Sequence, residues 1–348
     1  MAEFDIFSPV SITEALNQRL PPKRFLARTF FKPRYWATEQ VMIDTIKGSR
    51  RVAPFVRPHQ AGTAVQGDAI TATAFMPQQI NVHVRTDAYE AFRRAAAENI
   101  SYANGEVRSP EKAFAETIAR DQETLVDAAY RTVERMCSEA LFSGKVNMYD
   151  AEGNSISDVD EGFKDSHNIT LASGKGWNEK DTDPIKDLRD WRRLVAKDSG
   201  LTAHDVIFGS DAYDAFIANA SVKDYLDKRN ITLGGIAPQF DQDQDGALFM
   251  GVIEGLNIWV YDEWYDDPKT KTATAVVPPE KVCVISRELR ADIHYGKVQD
   301  VQAGNFVGEF FSRTYDEQDG SARYVQLRSA PLAVVEQADG LVVADVIV

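Results

Sequence analysis

Residues 109–144 read SPEKAFAETIARDQETLVDAAYRTVERMCSEALFSG. Ser109 is a good helix N-cap, Pro110 suits the first helical position, and Glu111 favours the positive end of the dipole. Phe114, Ile118, Leu125, Ala129, Val133, Met136 and Ala140 then recur at steps of three, four and seven, the period of one helical face. Gly144 supplies a left-handed stop. At 1.5 Å per residue the spacing predicts a helix ~50 Å long, longer than a small domain is wide. Such a helix is a spine around which other elements must be arranged.

Upstream, residues 48–80 predict a long hairpin. Two strand-like pieces, Val52–Arg57 and Ala69–Phe75, flank Gly62, Gly67 and a run of small polar residues. A lone two-stranded hairpin is marginal in water, and nothing nearby in the sequence covers this one. Ile80, Val82 and Val84 alternate as a strand with one buried face. Residues 1–47 show one short helical turn near Ile12–Leu20, ended by Pro21-Pro22. An extended arm follows in which Arg24, Arg28, Lys32 and Arg34 interleave with Phe25, Phe30, Phe31, Tyr35 and Trp36. Those aromatics read as anchors on a neighbouring surface.

Downstream of the helix, 145–183 are turns and short strands. From Asp183-Pro184 helices alternate with strands. One helix carries Ile185, Leu188, Trp191 and Val195, and Ser210 and Ser221 stand as caps of two more. Strands are expected at Val206–Phe208, Ala247–Ile253, Asn257–Tyr261, Thr272–Val277 and Val282–Ser286. A hairpin (Phe306–Tyr315, Ala322–Leu327) and a closing strand, Leu332–Val335, complete an α+β chain without internal repeats.

The 348 residues carry 39 Lys and Arg against 53 Asp and Glu, a net charge of −14. That balance argues against nucleic-acid binding through a basic surface. The charge is uneven: residues 1–60 are net +5, whereas Asp241–Pro268 holds eight acidic residues and no Lys or Arg. A chain with a basic end and an acidic body can attract copies of itself. No apolar run approaches the ~18 residues of a membrane span. Acidic Glu3 and Asp5 replace the basic start of a signal peptide. Cys137 and Cys283, 146 positions apart, fit a reducing compartment.

Catalytic templates fail on spacing. Asp241, Asp243, Asp245 and Gly246 match the start of a calcium loop, but Val252 holds the position that requires Glu. Gly174-Lys175-Gly176 lacks the rest of a phosphate loop. Ser109-x-x-Lys112 is better explained by capping. His59, His83, His167, His204 and His294 never fall at metal-ligand spacing, and both cysteines read as buried structural thiols. The acidic group Asp262, Glu263, Asp266 and Asp267 reads as an exposed loop. No catalytic residue, cofactor or metal is assigned.

The order of segments resembles the major capsid proteins of tailed bacteriophages, specifically the phage lambda-type (protein E) family. The resemblance spans about Leu16 to the C-terminus. It is carried by Phe30-Phe31 before Thr38-Glu39-Gln40-Val41, the helix ending Leu141-Phe142-Ser143-Gly144-Lys145, Asn168-Ile169-Thr170 with Trp177, and Asp183-Pro184. Val206-Ile207-Phe208, Trp259-Val260-Tyr261, Val277-Pro278 and Ser329-Ala330-Pro331-Leu332 complete the set. None is specific alone; their order and spacing carry the likeness.

The resemblance implies the Hong Kong 97 fold: an N-terminal arm (1–47), an extended E-loop hairpin (48–80), a P-domain with the spine helix (81–180 and 301–348) and an A-domain (181–300). It implies a protein that assembles with itself into hexamers and pentamers of an icosahedral shell enclosing double-stranded DNA. Scaffold, portal and decoration proteins would be its partners, and the virion, built in the bacterial cytoplasm, its location. The expected inter-subunit contacts are Phe30, Phe31, Trp36, Arg50, Arg51 and Arg57. A compartment shell of the same fold enclosing cargo, and a soluble enzyme, are the other readings.

Overall fold

The computed structural model describes residues 23–47, 69–87, 110–179, 181–233, 243–304 and 306–347. The elements run α1 (Phe25–Phe30), β1 (Lys32–Tyr35), β2 (Val41–Lys47), β3 (Ala69–Phe75), β4 (Ile80–Asp87) and the 33-residue α2 (Pro110–Phe142). There follow β5 (Lys145–Tyr149), β6 (Ser155–Asp160), β7 (Asn168–Thr170), α3 (Pro184–Asp198), β8 (Asp205–Phe208), α4 (Ser210–Ala218) and α5 (Ala220–Leu233). Next come β9 (Asp243–Gln244), β10 (Ala247–Ile253), β11 (Leu256–Tyr261), β12 (Trp264–Asp266), β13 (Ala273–Ala275) and β14 (Lys281–Ile285). The chain finishes with β15 (Ala291–Tyr295), β16 (Phe311–Asp316), β17 (Ala322–Ser329), β18 (Pro331–Val335) and β19 (Leu341–Asp345).

The spine is unbroken, and its stripe is buried in two halves. Ile118, Leu125, Val126 and Ala129 pack with Val82 and Val84 of β4 and with Phe310, Val325 and Leu327, beneath the three-stranded sheet β16-β17-β4. From Val133 to Phe142 the helix enters a larger core shared with α1, β15, β18 and one face of a seven-stranded sheet. Gly144 ends it at φ 65°, and a Cβ there would stand 2.7 Å from the Phe163 ring. Only glycine fits, for conformational and steric reasons together.

The seven-stranded sheet, ordered β7-β19-β14-β8-β11-β10-β9, separates two cores. Val206, Phe208, Ile258, Val260, Val282, Val284, Val342 and Ala344 face α3 and α4; Ile207, Trp259, Tyr261, Cys283, Ile285, Leu341 and Val343 face the other way. Strands buried on both faces read as continuous apolar runs, not as alternation. Leu341–Asp345 is such a run, with no alternation to mark it, and Leu332–Val335 was expected to close the fold. The closing strand is β19, inserted between β7 and β14. β7 and β19 thereby join the same sheet as β8 and β14, across the expected 180/181 and 300/301 boundaries.

Three further expectations are corrected. The partner of β3 is β2, in the register Val41↔Phe75 to Lys47↔Ala69, so the hairpin begins inside the segment read as arm. Val52–Arg57, the turn near Ile12–Leu20 and the Ser109 cap lie outside the described residues. The arm is not extended between Phe25 and Phe30, where a helix buries Phe25, Leu26, Ala27 and Phe30. Finally, Gly209 rather than Ser210 precedes α4, and α5 is capped by Asn219, whose Oδ1 accepts from the Ser221 N–H at 2.9 Å. Ser221 is the residue held, not the cap.

Replacing Leu125 with Ala should cost about 2–4 kcal/mol, because its cavity opens under β17, where the sheet cannot collapse. Denaturant unfolding of the unassembled chain measures it; a loss below about 1 kcal/mol would contradict the packing described.

Candidate inter-subunit surfaces

An assembly protein acts through what it leaves uncovered and through the segments it can lend to a neighbour. The arm shows which of its groups are already engaged. Phe25 and Leu26 are fully buried, and Phe30 and Phe31 nearly so, at 5% and 4% exposure. Phe25 lies 5.1 Å from the Trp259 ring and 5.6 Å from Tyr261, centroid to centroid. Phe30 and Phe31 therefore belong to the chain's own core. As inter-subunit contacts they are corrected: Phe30 turns inward on the last turn of α1, and Phe31, extended just after it, is buried in the same core. Trp36 is half-buried. Arg50, Arg51 and Arg57 lie outside the described residues.

Polar contacts hold the arm too. Glu134 on α2 accepts from the Leu26 and Ala27 N–H groups at 2.7 and 3.1 Å, capping α1 from another element. Arg24 stacks over the Tyr130 ring at 3.6 Å. Arg28 forms two bonds to Asp245, at 2.8 and 3.0 Å. β1 pairs in parallel with β15, which brings Arg34 to Asp292 at 2.7 Å. The Trp36 indole N–H donates to His294 Nδ1 at 3.0 Å. Burial, the leading cause, lowers the His294 pKa to about 4, so the ring is neutral at pH 7.

Part of the attraction between basic arm and acidic body is thus spent within one chain. Asp245, inside the acidic stretch, is one partner. Asp245 at φ 52° and Gly246 at φ 93° form the tight turn joining β9 to β10. The calcium-loop pattern is, at this point, a hairpin turn.

Among the described residues, uncovered surface is found in three places. On the β2–β3 hairpin and just beyond it, Met42 and Met76 are each about half exposed, at 52% and 50%. β2 and β3 form a two-stranded sheet of their own. Alongside α2, an open groove of about 560 Å³ runs between β4, β5 and β12, with Met148, Ile156 and Tyr265 beside Arg131 and Arg135. On the edge of the seven-stranded sheet, Leu248 and Val252 of β10, and nearby Trp264, are also about half exposed. Residue spacing could not single these out, because an exposed methionine or leucine looks like any core residue in sequence.

Over residues 8–346 the sequence matches the family described as Phage major capsid protein E, and the chain belongs to that family. It is 24% identical over 330 residues to the P21 prophage-derived major head protein of Escherichia coli strain CFT073, covering 92% of this chain and 93% of that one. The major capsid protein of Enterobacteria phage P21 matches to the same extent. Among solved structures, the putative capsid protein of an Escherichia coli CFT073 prophage superposes with a TM-score of 0.70 at 17% identity, over 98% of this chain and 99% of the other. A phage-related protein of Bordetella bronchiseptica RB50 follows with a TM-score of 0.54 at 11% identity, covering 99% of this chain and 98% of that one. The fold is that of the Hong Kong 97-type capsid proteins. The chain is a phage major capsid protein: a structural component of the virion that assembles with its own copies into a shell, not an enzyme.

The arm's seat has a proton linkage. Burial pushes the Glu134 carboxyl up to about 7, against the pull of the Leu26 and Ala27 N–H donors. Between about pH 4.5 and 7 the folded chain keeps a proton that the unfolded chain has lost. This contribution to stability is full below about 4.5 and shrinks as pH rises to 7, by about 1.4 kcal/mol per unit. Thermal unfolding at pH 5 and pH 7 should show the wild type losing more stability across that interval than Glu134→Gln, which has no proton to give up. Parallel curves for the two proteins would refute the linkage.

Proposed function

We propose that copies of this chain form hexamers and pentamers that close into an icosahedral shell around double-stranded DNA. The observation that carries this reading is the β2–β3 hairpin, a two-stranded ribbon with exposed methionines in a chain of the capsid family. Such a ribbon is marginal alone, and the surface of a neighbouring subunit is what supplies its cover. The groove beside α2 has an apolar lining that could receive such side chains, with Arg131, Asp150 and Asp266 among its polar residues. An acidic body suits a container, since a basic inner wall would hold the genome fast.

In this reading β2 and β3 are the base of the E-loop, so that element starts at Val41. The P-domain is α2 with β4, β16 and β17. The A-domain is the seven-stranded sheet with α3, α4 and α5, and takes in β7 and β19. Arg50, Arg51 and Arg57 of the E-loop, and the half-buried Trp36, remain the contacts assigned to neighbours. Scaffold, portal and decoration proteins complete the assembly in the bacterial cytoplasm. The capsid-family match favours a genome-filled shell over a compartment enclosing cargo.

Met42→Glu together with Met76→Glu should abolish closed shells while leaving the circular dichroism and unfolding midpoint of the unassembled chain within about 0.5 kcal/mol of wild type, as expected at surface positions. Size-exclusion chromatography with negative-stain imaging reads the first, denaturant titration the second. Normal yields of closed particles from the double variant would remove the hairpin from the interface. A wild-type chain that stays a small oligomer under every assembly condition, also with scaffold present, would overturn the shell reading.

A further inference from the structure

Asp292, His294 and Glu336 bring one ligand-type atom each within 4.8 Å of one another. Their placement follows from the sheet β1-β15-β18. Asp292 and His294 are two apart on β15 and share a face. β18 runs antiparallel, with Val334 opposite Asp292, and the Glu336 N–H then donates to Arg290 O at 2.9 Å, so Glu336 falls on that same face. All three residues are buried. His294 Nε2 lies 4.0 Å from Glu336 Oε1 and has no hydrogen-bond partner. Asp292 Oδ2 has no aligned donor either, although Arg34 Nε stands 2.7 Å away. A fully buried imidazole nitrogen facing two carboxylates, with no partner, costs free energy as it stands.

Two arm residues close the mouth of this cluster. Arg34, about half exposed, sets its charge beside both carboxylates, with Nη1 3.8 Å from Glu336 Oε1. It supplies one positive charge against two buried acids. Trp36 acts on the imidazole: an indole N–H can only donate, so His294 Nδ1 is the bare nitrogen and Nε2 carries the proton. An ion bound at Nε2 needs the opposite tautomer, whose Nδ1–H would oppose the Trp36 N–H. The docked arm and an ion in the cluster therefore cannot both be satisfied.

We propose that Asp292, His294 and Glu336 form a site for a divalent transition-metal ion of the zinc class, in competition with the Arg34 and Trp36 contacts of the arm. One imidazole and two carboxylates suit such an ion, and three protein ligands leave a fourth position for water. Two carboxylates balance a double positive charge that Arg34 meets only by half. Hard cations such as Mg²⁺ prefer all-oxygen ligands and gain little from the imidazole. Because the competition is an equilibrium coupling, it is reciprocal: whatever loosens β1 strengthens the ion's hold by the same factor. Arg34 is the route of entry, since its side chain can swing into water without opening the core.

The test uses the full-length unassembled chain, titrated with zinc chloride by calorimetry, and hydrogen–deuterium exchange over residues 32–36. The expected result is saturable binding of one Zn²⁺ per chain, faster exchange in β1 on binding, and neither effect with Mg²⁺. Arg34→Ala and Trp36→Phe should each bind Zn²⁺ about tenfold tighter or better, the reciprocal of the lost arm contact. Glu336→Gln and His294→Gln should lose saturable binding. Because Arg34 is solvent-facing, its variant keeps the test open even if Trp36→Phe misfolds. The proposal is overturned if neither wild type nor Arg34→Ala binds Zn²⁺, if binding leaves exchange at 32–36 unchanged, if Arg34→Ala binds no tighter than wild type, or if His294→Gln binds as well as wild type.

Discussion

A 33-residue helix with an apolar stripe along its length needs cover along its length. No single other element among the described residues is long enough to provide it. The first half lies under the sheet β16-β17-β4, and the second half under α1 and the strands around β15 and β18. The C-terminal third of the chain must therefore return to the helix, and the arm must fold back onto its far end. The seven-stranded sheet is tied to the same centre, since Ile207, Trp259, Cys283 and Val343 share a core with Val133, Cys137 and Leu141. The spine couples what would otherwise be separate layers.

The arm is where this coupling meets assembly. Residues 24–36 are held by aromatic burial, by a carboxylate that caps a short helix from outside, and by a strand paired to β15. Beyond the arm, the candidate surfaces offer half-exposed side chains such as Met42, Met76, Leu248 and Val252. A shell built from many symmetry copies can rest on such contacts, because each exposed pair is worth only ~0–1 kcal/mol and the sum decides. Weak individual contacts also let misplaced subunits leave.

Several features were readable from residue order. The C-terminal end of the spine was legible from Gly144, whose chemistry is local. The strands Ala247–Ile253 and Pro331–Val335 and the helix from Pro184 agree with expectation to within a residue or two. The family resemblance rested on such segments in sequence. Other features were not readable. β15 reads Ala-Asp-Ile-His-Tyr, the alternation of a strand with one wet face, yet all five of its residues are buried, so the covering of Asp292 and His294 was not legible in the pattern. The hairpin partner of β3 was misplaced: the strand-like Val52–Arg57 drew the pairing, whereas the partner β2 starts at Val41, which sits in the main core.

The sequence alone determined the long helix and where it stops, several strands of the large sheet, and that the chain is acidic with a basic end. These properties follow from propensity, capping and periodicity, which act within a few residues. Only the tertiary structure decided that Phe30 and Phe31 turn inward, that Arg28 and Arg34 are spent on their own chain, and that β19 fills the sheet. It also decided that His294 meets Glu336 across strands 42 positions apart. Each of these outcomes depends on which distant surfaces are brought together, and burial and charge pairing act through space rather than along the chain.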